Sequence, residues 1–168
     1  MSTLSKTVLF ALVCFGTSSV YGQKSDYSIN ISMPQSSVKF SADIPVAIMV
    51  KNVSDHELRM VFSSGETGIA MDFDVTILDD SGNPVPETHI GVCMHGKTPL
   101  PKTFSCGLIT ISQAMIPIPI GGEHKSITHI NQIFDLTKPG NYTVQVKRLD
   151  KSTKVMVKSN ILAFTVTP

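Results

Sequence analysis

The chain has 168 residues, with 14 basic against 13 acidic side chains, only 16% charged residues and a formal charge of +1. A balance this close to neutral implies neither nucleic acid nor an anionic membrane as a partner. It carries three cysteines and no tryptophan.

The first 22 residues read as a targeting segment. Lys6 precedes an apolar run from Val8 to Phe15, which closes on Gly16, Thr17, Ser18 and Ser19. That order is a signal peptide. The run is too short to cross a bilayer, which needs about 20 residues, so no membrane span is expected after cleavage. Cleavage after Gly22 places Val20 and Gly22 at the small positions before the cut. Val13 before Cys14 argues against a lipidated cysteine. The expected location is secreted, periplasmic or cell surface. Residues 23–168 then make one domain, long enough to bury roughly 68% of the surface its unfolded chain exposes.

In that compartment the two remaining cysteines, Cys93 and Cys106, are expected to form a disulfide. It would close a loop of about 14 residues and add roughly 3 kcal/mol by the chain-entropy relation.

The mature chain alternates short apolar and polar positions between turn residues, and no stretch carries an apolar period of 3.6 residues. This is an all-β pattern. Residues 27–33 set Tyr27, Ile29, Ile31 and Met33 on one face before Pro34, and the edge resumes at 38–40. Residues 46–53 set Val46, Ile48 and Val50 together, and 58–62 follow. The clearest alternation runs over 70–77, with Met71, Phe73, Val75 and Ile77 facing a core and Asp72 and Asp74 facing water. Asp79, Asp80, Gly82, Asn83 and Pro84 read as a turn, because the spacing and terminal glutamate of a calcium loop are missing.

Within 109–120, Pro117 and Pro119 delete N–H donors from the same side of an extended chain, so that side cannot template a partner, and the segment belongs at a sheet edge or is a strand that leaves its sheet there. Residues 125–134 and 161–166 are further strands, the latter burying Leu162, Phe164 and Val166. Between them, residues 134–144 carry the most specific local pattern, with Asp135, Gly140 and Tyr142 placed as in a tyrosine corner. The chain resembles the immunoglobulin-like and fibronectin-type extracytoplasmic β-sandwiches in this corner. What the resemblance implies is an immunoglobulin-like β-sandwich of about seven to nine antiparallel strands. It departs from antibody domains in lacking tryptophan, and Val144, two residues past the corner tyrosine, stands where an inter-sheet cysteine would fall.

No nucleophile elbow, zinc-protease helix motif or phosphate loop is present, so no enzyme is expected, and no cofactor or metal. His89 and His95 bracket Cys93 and Met94, soft donors of the kind copper prefers, but their order and mid-chain place do not fit a blue-copper site. Asp72 and Asp74 are read as solvated carboxylates. Asn30, Asn52 and Asn141 head glycosylation sequons. Lys147, Arg148, Lys151, Lys154 and Lys158 give the hairpin before the last strand a basic bias.

The best binding candidate is the long insertion 83–107, which the disulfide would preorganise. Its contact residues are His89, Met94, His95, Lys97, Lys102 and Phe104. The expected function is a non-enzymatic binding or accessory domain for a protein or glycan ligand. A structural subunit of a surface assembly and an extracellular protease inhibitor are the alternatives.

Overall fold

A computed structural model describes residues 24–40, 42–65, 70–95, 106 and 111–168. The proposed signal peptide lies outside the described residues. Strands dominate, and the fold is all-β, with two short helices among the described residues. In chain order the strands are β1 (Tyr27–Ser32), β2 (Ser37–Lys39), β3 (Pro45–Asn52), β4 (Leu58–Gly65), β5 (Asp74–Asp79), β6 (Ile111–Ile118), β7 (Glu123–His129), β8 (Gly140–Leu149), β9 (Met156–Lys158) and β10 (Leu162–Thr167). Helix α1 (His89–His95) follows β5, and α2 (Ile130–Ile133) follows β7.

Among the described residues the strands form three sheets, in the orders β1-β3-β7, β2-β10-β8-β5 with β9 also on β8, and β4-β6. The first two turn their alternating apolar faces into one core. Ile29 and Ile31 of β1, Val46, Ile48 and Val50 of β3, Val75 and Ile77 of β5, Val144 and Val146 of β8, and Phe164 and Val166 of β10 are all buried in it. A period of two on each strand is what puts these residues on one side. Non-directional burial then holds the layers together.

Four expectations need correction. Ten strands stand among the described residues, one more than the upper expectation, because the three-residue β2 and β9 each pair with a longer strand. The set is not wholly antiparallel, since β2 lies parallel to β10. The strand expected over 125–134 stops at His129, where Ile130 and Ile133 turn as α2 and are both buried. Spacing of three places both isoleucines inward on one helical turn, which an alternating strand cannot do. The clearest strand starts at Asp74 rather than at residue 70, and Asp72 belongs to the preceding turn, where its carboxylate accepts from the Ser63 backbone N–H and hydroxyl.

Other features follow the sequence closely. The Tyr142 hydroxyl donates to the Lys138 carbonyl at 2.7 Å and its ring stacks on Phe164 at 5.6 Å. Asp79 is held by its own turn, its Oδ1 accepting from the backbone N–H of Ser81 and Asn83 around Gly82, whose φ is +79°. The free edge of β1 is capped by a side chain. Asn160 accepts from the Ile31 N–H at 2.8 Å and donates to the Ile31 carbonyl at 3.1 Å, as a neighbouring strand would.

Candidate functional site

The segment chosen from the sequence is built on α1. Its seven residues have little helical propensity of their own and are too few to be stable alone. Tertiary contacts fix them. Thr88 caps the helix, its hydroxyl oxygen accepting from the Gly91 N–H at 3.1 Å while donating to the Gln132 carbonyl, and its backbone N–H donates to the Ile133 carbonyl at 2.8 Å. A Cβ at Gly91 would overlap the Ile133 carbonyl oxygen. Glycine is therefore what lets α1 lie against α2. Gly91→Ala is expected to weaken the domain by about 2 kcal/mol, the usual range for forcing bulk into a filled contact, and urea unfolding against wild type checks it.

The expected disulfide is present, joining Cys93 of α1 to Cys106 with Cα atoms 5.5 Å apart. Of the proposed contact residues, His89 is exposed on α1, while Met94 is partly buried against the core and is therefore a packing residue. His95 ends the helix. Lys97, Lys102 and Phe104 lie outside the described residues. Ile90, which the sequence reading passed over, is 42% exposed and is the apolar side chain that α1 presents outward.

The remaining histidines disperse. His56, in the β3–β4 turn, pairs with Asp55 at 3.0 Å, and His129, at the end of β7, with Asp43 at 2.7 Å. Among the described residues no group of three or more His, Cys, Asp or Glu is placed to hold a metal ion. The two carboxylates weighed for catalysis are engaged as well. Asp72 holds Ser63, and Asp74 pairs with Lys147 at 3.3 Å.

The sequons separate cleanly. Asn30 and Asn141 are exposed on β1 and β8. Asn52 is 1% exposed, and its Nδ2 donates to the carbonyls of His56, Ile118 and Pro119 at 2.7, 3.0 and 3.1 Å. A glycan on that nitrogen is incompatible with this fold.

The basic hairpin also comes apart. Lys147 is paired, and Arg148 turns inward, its guanidinium carbon 4.9 Å from the Phe62 ring centre and 5.3 Å from that of Phe73. Its Nη2 donates to the Val61 carbonyl at 2.7 Å, and its Nη1 is buried without a hydrogen-bond partner among the described residues. The aromatic faces supply cation–π attraction to a guanidinium partly removed from water. The signal was available, because the inward positions 142, 144 and 146 continue to 148 at a period of two. The His124 ring also lies against Phe62, tilted, with ring centres 4.0 Å apart. Burial, and then the Arg148 charge, hold its imidazole below the ordinary histidine range.

Two open clefts flank this cluster. One of about 350 Å³ lies between the start of β4 and the β8–β9 hairpin, where Tyr27, Arg59 and Arg148 meet. The Tyr27 phenol, which lines it, is pushed up to about 12, chiefly by burial. The second, of about 310 Å³, lies between β6 and β7.

No protein-family model matches the chain, and neither does any curated protein. Similar solved structures include the alkylpurine DNA glycosylase AlkC of Pseudomonas fluorescens bound to DNA containing an abasic site analog. It is 9% identical over 86% of this chain and 31% of its own, with a TM-score of 0.42. β-Glucosidase from Listeria innocua in complex with isofagomine is 14% identical over 84% of this chain and 16% of its own, at 0.40. BslA, a bacterial hydrophobin, is 13% identical over 84% of this chain and 94% of its own, at 0.36. The chain thus spans less than a third of the first two. Likeness at this level bears on neither fold nor activity. No helix among the described residues is long and apolar enough to cross a membrane.

Proposed function

We propose that this chain is an extracytoplasmic, non-enzymatic binding domain with an immunoglobulin-like β-sandwich fold, and that it meets a protein partner through helix α1. The observation that carries the reading is the Cys93–Cys106 disulfide on a helix already seated on α2 through Gly91. A short helix fixed twice over, with Ile90 turned outward, loses little entropy on contact, which is the main advantage of a preorganised contact surface. The tyrosine corner and the three- and five-stranded sheets sharing one core support the sandwich. The engagement of Asp72 and Asp74 by Ser63 and Lys147 supports a non-enzymatic role.

The test places a photo-crosslinking amino acid at position 90 of the full chain in its source cells. A single defined protein adduct is expected, and the Cys93→Ser/Cys106→Ser variant should lose most of it while retaining strand content by circular dichroism. Absence of an adduct, or an adduct undiminished in the folded double variant, overturns the reading. Retention on a glycan array without any protein adduct overturns the partner class.

A further inference from the structure

The second cleft lies between two strands that follow one another in sequence without pairing. The register of β3 with β7 sets which backbone groups β7 spends inward. The Asn52 N–H bonds the Gly122 carbonyl and the Ile130 N–H bonds the Ile44 carbonyl, so the bonded pairs are the even positions of β7. In an antiparallel ladder the alternate residues point away from that neighbour. Glu123, Lys125, Ile127 and His129 therefore direct their N–H and C=O groups to the outer edge of β7, where no strand among the described residues pairs with them.

β6 is oriented in the same way. The carbonyls of Val61 and Ser63 accept from Arg148 and Met71, so these β4 residues point away from β6. Their register partners Met115 and Gln113 then point away from β4, as does Pro117 opposite Arg59. Pro117 and Pro119 strip this edge of N–H groups beside the turn, and Asn52 pins that turn through the carbonyls of Ile118 and Pro119. A hairpin zips from its turn, so β6 and β7 cannot close on each other. Between them remains a slot of about 310 Å³ whose apolar lining includes Phe62, Ala70, Ala114, Ile116 and Ile127. Met115, between the lining residues Ala114 and Ile116 on β6, is 64% exposed.

We infer that this slot receives an extended segment of a partner polypeptide as an added strand, bonded to Lys125 and Ile127 on one side and to Gln113 and Met115 on the other. Main-chain bonds on both flanks demand an extended backbone, and the shallow lining favours small or β-branched side chains facing inward. The sheet order becomes β1-β3-β7, the added strand, then β6-β4. Because β6 and β7 run in opposite directions, the guest is parallel to one and antiparallel to the other. Lys125 is exposed at the β7 edge and makes no ion pair among the described residues, so a carboxylate on the guest is the complementary charge. This surface shares no residue with α1 or the disulfide and stands or falls apart from them.

The test uses the full mature chain and a panel of six-residue peptides that alternate Val with Thr, Ala with Thr or Leu with Ser, each headed by Glu or by Lys. Nuclear magnetic resonance titration is expected to show slowed hydrogen exchange at the Gln113, Met115, Lys125 and Ile127 amides, with the Glu-headed peptides binding several-fold more tightly. Ile127→Pro deletes an outward N–H while leaving the β3 ladder intact, and should weaken binding at least tenfold with little change in melting temperature. If that variant does not fold, N-methylation along one edge of the peptide makes the same cut from the other side. The inference is overturned if no peptide binds at millimolar concentration, or if neither deletion changes the affinity. Concentration-dependent light scattering that Ile127→Pro abolishes would overturn it in favour of a second copy of the chain.

Discussion

Asn52→Asp is expected to unfold the domain some 10 °C below wild type, a loss of about 4 kcal/mol at roughly 2–4 °C per kcal/mol for a chain of this size. Asn52 sits at the end of β3, where its Nδ2 serves three carbonyls and its Oδ1 accepts from the Ser54 N–H at 2.9 Å and the Ser54 hydroxyl at 2.7 Å. One side chain thus ties the β3–β4 turn to the β6–β7 turn. Aspartate keeps the acceptor but replaces the donor with a second oxygen facing the His56, Ile118 and Pro119 carbonyls. The Ser54 donors on the first oxygen do not offset a buried charge whose second oxygen faces three acceptors without solvent. Asn52→Ala removes the bonds without adding charge and should cost less, about 2–3 kcal/mol, since the orphaned carbonyls still lose their donor. Differential scanning calorimetry on the two variants checks the order. Equal melting temperatures for wild type and Asn52→Ala would show that these bonds add nothing net.

The second large effect is expected in acid. Asp150 is 4% exposed between β8 and β9 and accepts from the Ser25 hydroxyl, the Asp26 N–H and both the N–H and hydroxyl of Ser152, at 2.6–3.1 Å. Burial alone would raise its carboxyl. These donors outweigh burial and hold it well below the ordinary value of 3.8. A folded value below the unfolded one means that the carboxylate stabilises the fold fully above about pH 4, and that this contribution is lost as pH falls through the folded value. Asp150→Asn should therefore destabilise by about 2–4 kcal/mol at pH 7, because an amide leaves some of the converging donors unanswered. It should also narrow the gap to wild type near pH 2. Urea midpoints at pH 7, 4 and 2 measure both, and a gap constant with pH would remove Asp150 from the acid response.

Where the alternation was regular the sequence was readable. Val46, Ile48, Val50, Val144 and Val146 occupy the core that a period of two assigns to them. Tyr142 makes the bond its corner pattern implies. The paired prolines mark the open edge of β6 because a missing N–H is a property of the residue itself, wherever it is placed. Helix α1 escaped notice because nothing periodic marks residues 89–95; it exists because Thr88, Gly91 and Cys93 find partners at Gln132, Ile133 and Cys106. Asn52 looked like turn and sequon chemistry, and its neighbours in sequence carry no sign that Ile118 and Pro119 will close over it.

By itself the sequence determined the all-β class, the inward and outward sides of most strands, the Cys93–Cys106 pair and the edge where prolines withhold N–H donors beside the turn. These follow from side-chain periodicity, thiol chemistry and a missing donor, all local to a few residues. The tertiary structure alone decided that Asn160 caps β1, that Arg148 lies over the rings of Phe62 and Phe73 instead of joining a basic surface, and that β6 and β7 part to leave a slot. Each of these depends on groups distant in sequence meeting in a medium drained of water, where an unpaired donor or charge costs enough to choose its partner.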